Sequence, residues 1–206
     1  MSVLPNLVEE ERAARLVTGL GTRSIVLVGI MGCGKSSVGR RLAQTLSLPF
    51  VDADTEIEAA ANLTIPEIFA QHGEAYFRAG EQRVIARLLK NGPQILATGG
   101  GAYMNAETRA AVREMGLSIW LKAEFALVMN RVRRKPNRPL LNDPDPEGVM
   151  RRLLAEREPV YAEAELTIQS RDVPHEAVVA DIIAALEAHF GFAPALSDQA
   201  EGASRP

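Results

Sequence analysis

Ser24-Ile-Val-Leu-Val28 runs into Gly29-Ile-Met-Gly-Cys-Gly-Lys-Ser36 and then into a helix-forming stretch, Ser37 to Leu46. An apolar strand, a glycine-rich turn and a helix start in that order make a P-loop, and each part has a physical task. The glycines let backbone N–H groups wrap a polyphosphate and the helix N-terminus adds partial positive charge, while Lys35 reaches the β/γ-phosphates and the Ser36 hydroxyl meets Mg²⁺. A glycine turn that matches by accident is the competing reading, and the flanking strand and helix argue against it. Cys33 sits where a small side chain is enough. With no general base in evidence nearby, it reads as filler rather than nucleophile.

Outward from this loop, strands and helices alternate. Leu48 to Asp52 reads as a second buried strand ending in carboxylates, and Asp54 begins a helix that this aspartate is placed to cap. From Ile65 to Leu89 the apolar residues recur at helical spacing with a break near Gly73, so two helices are expected there. Gln94–Ala97 is a third strand leading into Thr98-Gly-Gly-Gly101; Ala106–Met115 is helical, Leu117–Leu121 a fourth strand, and Glu124–Arg133 helical again. Residues 134 to 148 contain Pro136, Pro139, Pro144 and Pro146 among Asn and Asp, so no regular element is expected, and a loop of that length calls for a function. A helix over Val149–Arg157, which Pro159 should end, a fifth strand over Ala164–Gln169 and a long helix over His175–Phe190 complete the domain. Residues 1 to 21 form an extension containing a short amphipathic helix, and residues 191 to 206 are expected to be a disordered tail.

This alternation predicts an α/β fold, a three-layer sandwich with a central five-stranded parallel sheet whose ligands sit at the carboxyl ends of the strands. The 206 residues suit one domain with a sizeable core. A net charge of −3 makes the whole molecule no magnet for nucleic acid, so any anion site must be local. One cysteine excludes an intramolecular disulfide framework. The start lacks a signal-peptide pattern and no apolar run approaches the length of a membrane span, so a cytoplasmic protein is expected, without membrane or nucleic-acid partners and acting as a monomer.

Asp52 and Asp54, two apart at a strand end, can both face the mouth of the P-loop, one near the metal and one near an acceptor hydroxyl that needs orienting or deprotonating. Arg78 lies three residues before Glu81, which can fix its guanidinium in an ion pair. If Arg78 and Arg157 converge on one pocket, the acceptor carries a carboxylate or phosphate, because the planar fork binds such groups bidentately. Three glycines after a strand permit close approach of a ligand to backbone N–H groups. The basic run Arg131, Arg133, Arg134, Lys135 and Arg138 has no interleaved aromatic residues, so a lid closing on phosphates explains it better than a nucleic-acid patch.

Taken together, these motifs resemble the shikimate kinase family of P-loop kinases over nearly all of residues 22 to 190. The likeness rests on Gly29–Ser36 with Gly39-Arg-Arg-Leu-Ala43, Asp52-Ala-Asp54, Phe77-Arg78 with Glu81, Gly99-Gly-Gly101, Arg138-Pro-Leu-Leu141 and Arg157-x-Pro-x-Tyr161. The resemblance implies phosphoryl transfer from MgATP to the 3-hydroxyl of shikimate, giving shikimate 3-phosphate and ADP. By the same resemblance, Gly32, Cys33, Gly34, Lys35, Ser36 and Ser37 hold ATP, and Ser36 and Asp52 serve Mg²⁺. Lys35, Asp54 and Arg138 are the implied catalytic residues, with Asp54 as base and Arg138 reaching the transferred group from a lid at about 134–148. Asp54, Arg78, Gly100, Gly101 and Arg157 would bind shikimate, while Arg131 and the 171–174 stretch would meet adenine, a role Arg133 or Arg134 could fill instead. A gluconate kinase-like enzyme is the main alternative. A non-enzymatic nucleotide binder would have lost Lys35 or Asp54, and both are present.

Overall fold

The computed structural model describes residues 4–134 and 143–192. Its elements in chain order are α1 (Leu4–Leu20), β1 (Ser24–Val28), α2 (Lys35–Leu46), β2 (Phe50–Asp52), α3 (Ala53–Ala61), α4 (Ile65–Leu89), β3 (Ile95–Ala97), a 3₁₀ turn (Ala102–Met104), α5 (Ala106–Met115), β4 (Gly116–Ala123), α6 (Phe125–Arg133), α7 (Pro146–Tyr161), β5 (Leu166–Ser170) and α8 (His175–His189). The five strands form one sheet in the order β2-β3-β1-β4-β5, and every pair is parallel. The α/β expectation and the strand count both hold. Helices α1, α2 and α8 pack together, and α4 and α5 form a second group with the 3₁₀ turn.

Register decides where the site lies. Leu27 of β1 pairs with Ala97 of β3, and Ala97 pairs with Asp52 of β2. One row across the sheet therefore sets the P-loop, the Asp52 carboxylate and the glycine turn side by side at the strand ends. β1 is buried at every position, as a central parallel strand covered on both faces should be. β2 departs from the sequence reading: it is an edge strand and only half-buried.

Helix ends explain the other departures. α2 starts at Lys35 rather than Ser37 because Gly34, with φ 107°, makes the left-handed turn into it. It is Asp52, not Asp54, that caps α3, accepting from the Asp54 N–H at 3.1 Å, so Asp54 lies inside the first helical turn. α4 begins with a capping box between Thr64 and Glu67 and breaks at Gly73 (φ 78°, ψ 175°), as expected.

α7 begins at Pro146, inside the stretch expected to be irregular, because Asp145 caps it through the Gly148 N–H and proline is at home in a first helical turn. Nor does Pro159 end it. The helix runs on to Tyr161, since a proline this near the C-terminus forfeits one hydrogen bond without blocking the last turn, where Ala162 N–H still reaches Glu158 O at 2.9 Å. Gly191 and Phe192, expected to open the tail, are packed instead: the Phe192 ring lies 5.8 Å from that of Phe190 and beneath the Arg15 guanidinium. The rest of the tail and the lid residues 135–142, Arg138 included, lie outside the described residues.

The main core spans the sheet and both helical groups. Ile57, Ile68 and Phe77 form a separate small cluster between α3 and α4. Arg78 follows directly on that cluster, so its position depends on a packed unit of its own.

Candidate active site

A cleft of about 550 Å³ opens at the carboxyl ends of the strands, with Gly32, Gly34, Lys35, Ser36 and Ser37 on one wall and Asp52, Asp54, Gly99 and Gly100 on another. Lys35 Nζ donates to Gly29 O (2.7 Å) and Ile30 O (3.1 Å), which lays its stem along the loop. Cys33 is fully buried and its carbonyl accepts from Ser170 Oγ at 2.7 Å, so it supports the loop from behind, in keeping with a filler role. Ser36 Oγ donates to Asp52 Oδ2 at 2.8 Å. This places two hard oxygen donors together at the mouth of the loop, a set that suits Mg²⁺ completed by phosphate and water.

The wall around the glycine turn is built from four elements. A Cβ placed on Gly99 would stand 2.7 Å from Glu81 Oε1 and 2.9 Å from Asp54 Oδ1. On Gly101 it would meet the Arg78 guanidinium at 2.6 Å, and on Gly100 it would lie 3.5 Å from Arg157 Nη1. Asp54, Arg78 and Arg157 thus converge on the glycine turn, and larger residues at Gly99 and Gly101 would fill the space they share. The need for glycine is steric closeness rather than a left-handed backbone, since none of the three has positive φ.

Glu81 fixes Arg78, as its spacing suggested: Arg78 Nη1 donates to Glu81 Oε2 at 2.7 Å, and Glu74 Oε1 adds a second contact at 3.3 Å. Burial alone would lower the Arg78 pKa, but Glu81 and then Glu74 outweigh it and hold the guanidinium above its ordinary value. The Glu81 carboxyl is pushed up, chiefly by burial and against the pull of Arg78. Its Oε1 has no hydrogen-bond partner among the described residues.

Arg131 also lines the cleft and is tied down, with Nη1 donating to Ser170 Oγ (2.9 Å) and Nη2 to Arg171 O (2.8 Å). Of the two alternatives to it, Arg134 also lines the cleft whereas Arg133 pairs with Glu147 at 2.5 Å. Sequence reasoning missed His175, which lines the cleft at the start of α8. Burial, then the charges of Arg41 and Arg131, push its pKa below the ordinary value, so it stands as a neutral imidazole at neutral pH. Nothing in its local sequence marks it.

A larger groove of about 900 Å³ lies between α1, α2 and α8, but Leu16, Leu46 and Ile183 in its floor are already almost wholly buried. The arginines in its lining are already paired within the fold, Arg12 with Glu187 and Arg41 with Glu176.

The family model described as shikimate kinase matches residues 31–187. Shikimate kinase of Bradyrhizobium diazoefficiens is 63% identical over 177 residues, covering 86% of each chain. That of Rhodopseudomonas palustris is 58% identical over 181 residues, 88% of this chain and 89% of the relative. Among solved structures, shikimate kinase from Acinetobacter baumannii in complex with shikimate superposes with a TM-score of 0.79 at 36% identity, over 84% of this chain and 98% of that one. A gluconokinase from Sinorhizobium meliloti shares the fold at a TM-score of 0.53 but only 17% identity, over 82% of this chain and 94% of that one.

Proposed function

The chain belongs to the shikimate kinase family, and from this premise we propose that it transfers the γ-phosphoryl group of MgATP to the 3-hydroxyl of shikimate, releasing ADP and shikimate 3-phosphate. The observation that carries the reading is the convergence of Asp54, Arg78 and Arg157 on Gly99–Gly101 beside the P-loop. Two guanidinium groups on one wall call for a carboxylate, and an aspartate nearby calls for a hydroxyl.

In this reading the P-loop from Gly32 to Ser37 and Lys35 hold the phosphates, while Arg131 holds the nucleotide's base end. Arg78 and Arg157 clamp the shikimate carboxylate and thereby fix which hydroxyl meets Asp54. Asp54 takes the proton from that hydroxyl as its oxygen attacks the γ-phosphorus and the bond to the ADP oxygen breaks. Ser36 and Asp52 would hold Mg²⁺, which when bound neutralises charge on the phosphates. Arg138 is assigned to the transferring group on sequence grounds alone. Among the described residues no helix is long and apolar enough to cross a membrane. Consumption of ATP fits the cytoplasm.

A coupled ADP-release assay tests the acceptor. Shikimate should be turned over and gluconate and nucleoside monophosphates should not. The methyl ester of shikimate should bind far more weakly, because two desolvated guanidinium groups lose their ionic partner. Equal turnover of the acid and its ester would sink the carboxylate clamp.

A further inference from the structure

The turn Gly99-Gly100-Gly101 has no side chains to hold its peptide planes, so hydrogen bonds must orient them. Two of its carbonyls are tied locally, Gly99 O accepting from the Ala102 N–H (3.2 Å) and Gly101 O from the Met104 N–H (3.1 Å). The third is tied from far away in sequence: Gly100 O accepts from the Tyr161 hydroxyl at the end of α7. Tyr161 is 1% exposed and its ring lies 6.0 Å from that of Trp120. Burial above all raises its pKa well beyond the ordinary phenol value, so the hydroxyl stays protonated and remains a donor. Arg157 lies one helical turn back on the same face of α7, beside Gly100.

The Gly100–Gly101 peptide is trans and planar, so its C=O and N–H point in opposite directions. With the carbonyl turned toward the buried phenol, the Gly101 N–H is turned away from it, in a residue that lies against the Arg78 guanidinium, 2.6 Å from where a Cβ on Gly101 would stand. Among the described residues that N–H donates to no carbonyl or side chain. We infer that Tyr161 is a positioning residue, which aims the Gly101 N–H at an anionic oxygen of the acceptor held between Arg78 and Arg157. The cradle is then three donors, two guanidinium groups and one backbone amide, around a carboxylate. Without the tether the peptide rotates easily, because neither flanking glycine has a Cβ to resist it. This inference rests on the proposal that the acceptor presents a carboxylate to this turn.

Tyr161→Phe keeps the ring and its packing on Trp120 and removes only the donor. The expected result is a rise of about ten- to hundredfold in KM for shikimate, the scale of one hydrogen bond to a charged group, with KM for MgATP unchanged. An unchanged KM for shikimate, or parallel rises in both constants that signal general loosening, would overturn the role of Tyr161. Amide hydrogen exchange of the wild-type protein gives a second arm that needs no variant: Gly101 should exchange fast without acceptor and be protected once shikimate is added. A Gly101 amide already protected, or one that shikimate leaves unchanged, overturns the inference too. Turnover of shikimate by the wild type separates the two readings. Its absence overturns the acceptor and this inference with it, whereas turnover with an insensitive KM in Tyr161→Phe overturns the role of Tyr161 alone.

Discussion

Asp52 and Asp54 differ by two positions and by everything around them. Asp52 accepts from the Ser36 hydroxyl and caps α3 with its other oxygen, whereas Asp54 lies beside Gly99, at the wall proposed for the acceptor. Asp54→Asn should therefore lower kcat by about 10²- to 10⁴-fold, the range for loss of a general base, while ADP binding measured by calorimetry is retained. Near-normal turnover would remove Asp54 from the base role. Gly101→Ala tests the opposite wall. Its methyl would stand 2.6 Å from Arg78 Nη1, but the obstacle is the end of a flexible side chain, so the fold survives and the guanidinium moves. We expect a melting temperature close to the wild type and a KM for shikimate raised on the order of tenfold to a hundredfold. An unaltered KM would show that Arg78 does not need its present place.

At the scale of elements, α1 is fastened to α8 by Arg12 and Glu187. Arg12 Nε and Nη2 each reach a Glu187 oxygen at 2.6 Å, with the Glu187 side chain 8% exposed and that of Arg12 37%. The hydrogen bond from Arg12, opposed by burial and helped by the charges of Arg12 and Arg15, holds the Glu187 carboxyl below its ordinary 4.5. A carboxyl lowered in the folded state contributes stability that is fully present above that value and is lost as pH falls through the folded pKa. A bidentate pair with one partner partly in solvent is worth about 1 kcal/mol, so Glu187→Gln should lower the melting temperature by roughly 2–4 °C at pH 7. The gap between variant and wild type should close as pH falls below the ordinary carboxylate range. A gap independent of pH would mean that packing, not the ion pair, fastens the helix.

For the whole molecule, α1 lies outside the stretch matched by the family model, and among the described residues none from α1 lines the strand-end cleft. Leu16 and Leu20, each 2% exposed, contribute about 1.5–3 kcal/mol apiece in gross apolar burial. Deleting residues 1–20 should cost several degrees of melting temperature and leave both KM values as they were; a selective change in KM for MgATP would instead tie α1 to the nucleotide through α2. The sequence by itself determined the P-loop, because strand, turn, Lys35 and Ser36 are contiguous and local backbone geometry suffices to assemble them. It also determined the α/β class, through the alternation of strand-like and helix-like stretches, and the Arg78–Glu81 pair, through helical spacing. Where caps compete, sequence spoke less clearly: Asp52 and Asp54 could each cap α3, and only the built turn shows that Asp52 does. Only the tertiary structure decided that Arg78 from α4 and Arg157 from α7 meet at one glycine turn, that His175 enters the cleft, and that Tyr161 reaches Gly100. The reason is register and packing. The row Asp52–Ala97–Leu27 sets three distant strand ends abreast, and the helices laid against that sheet fix where each long side chain ends, which no local pattern encodes.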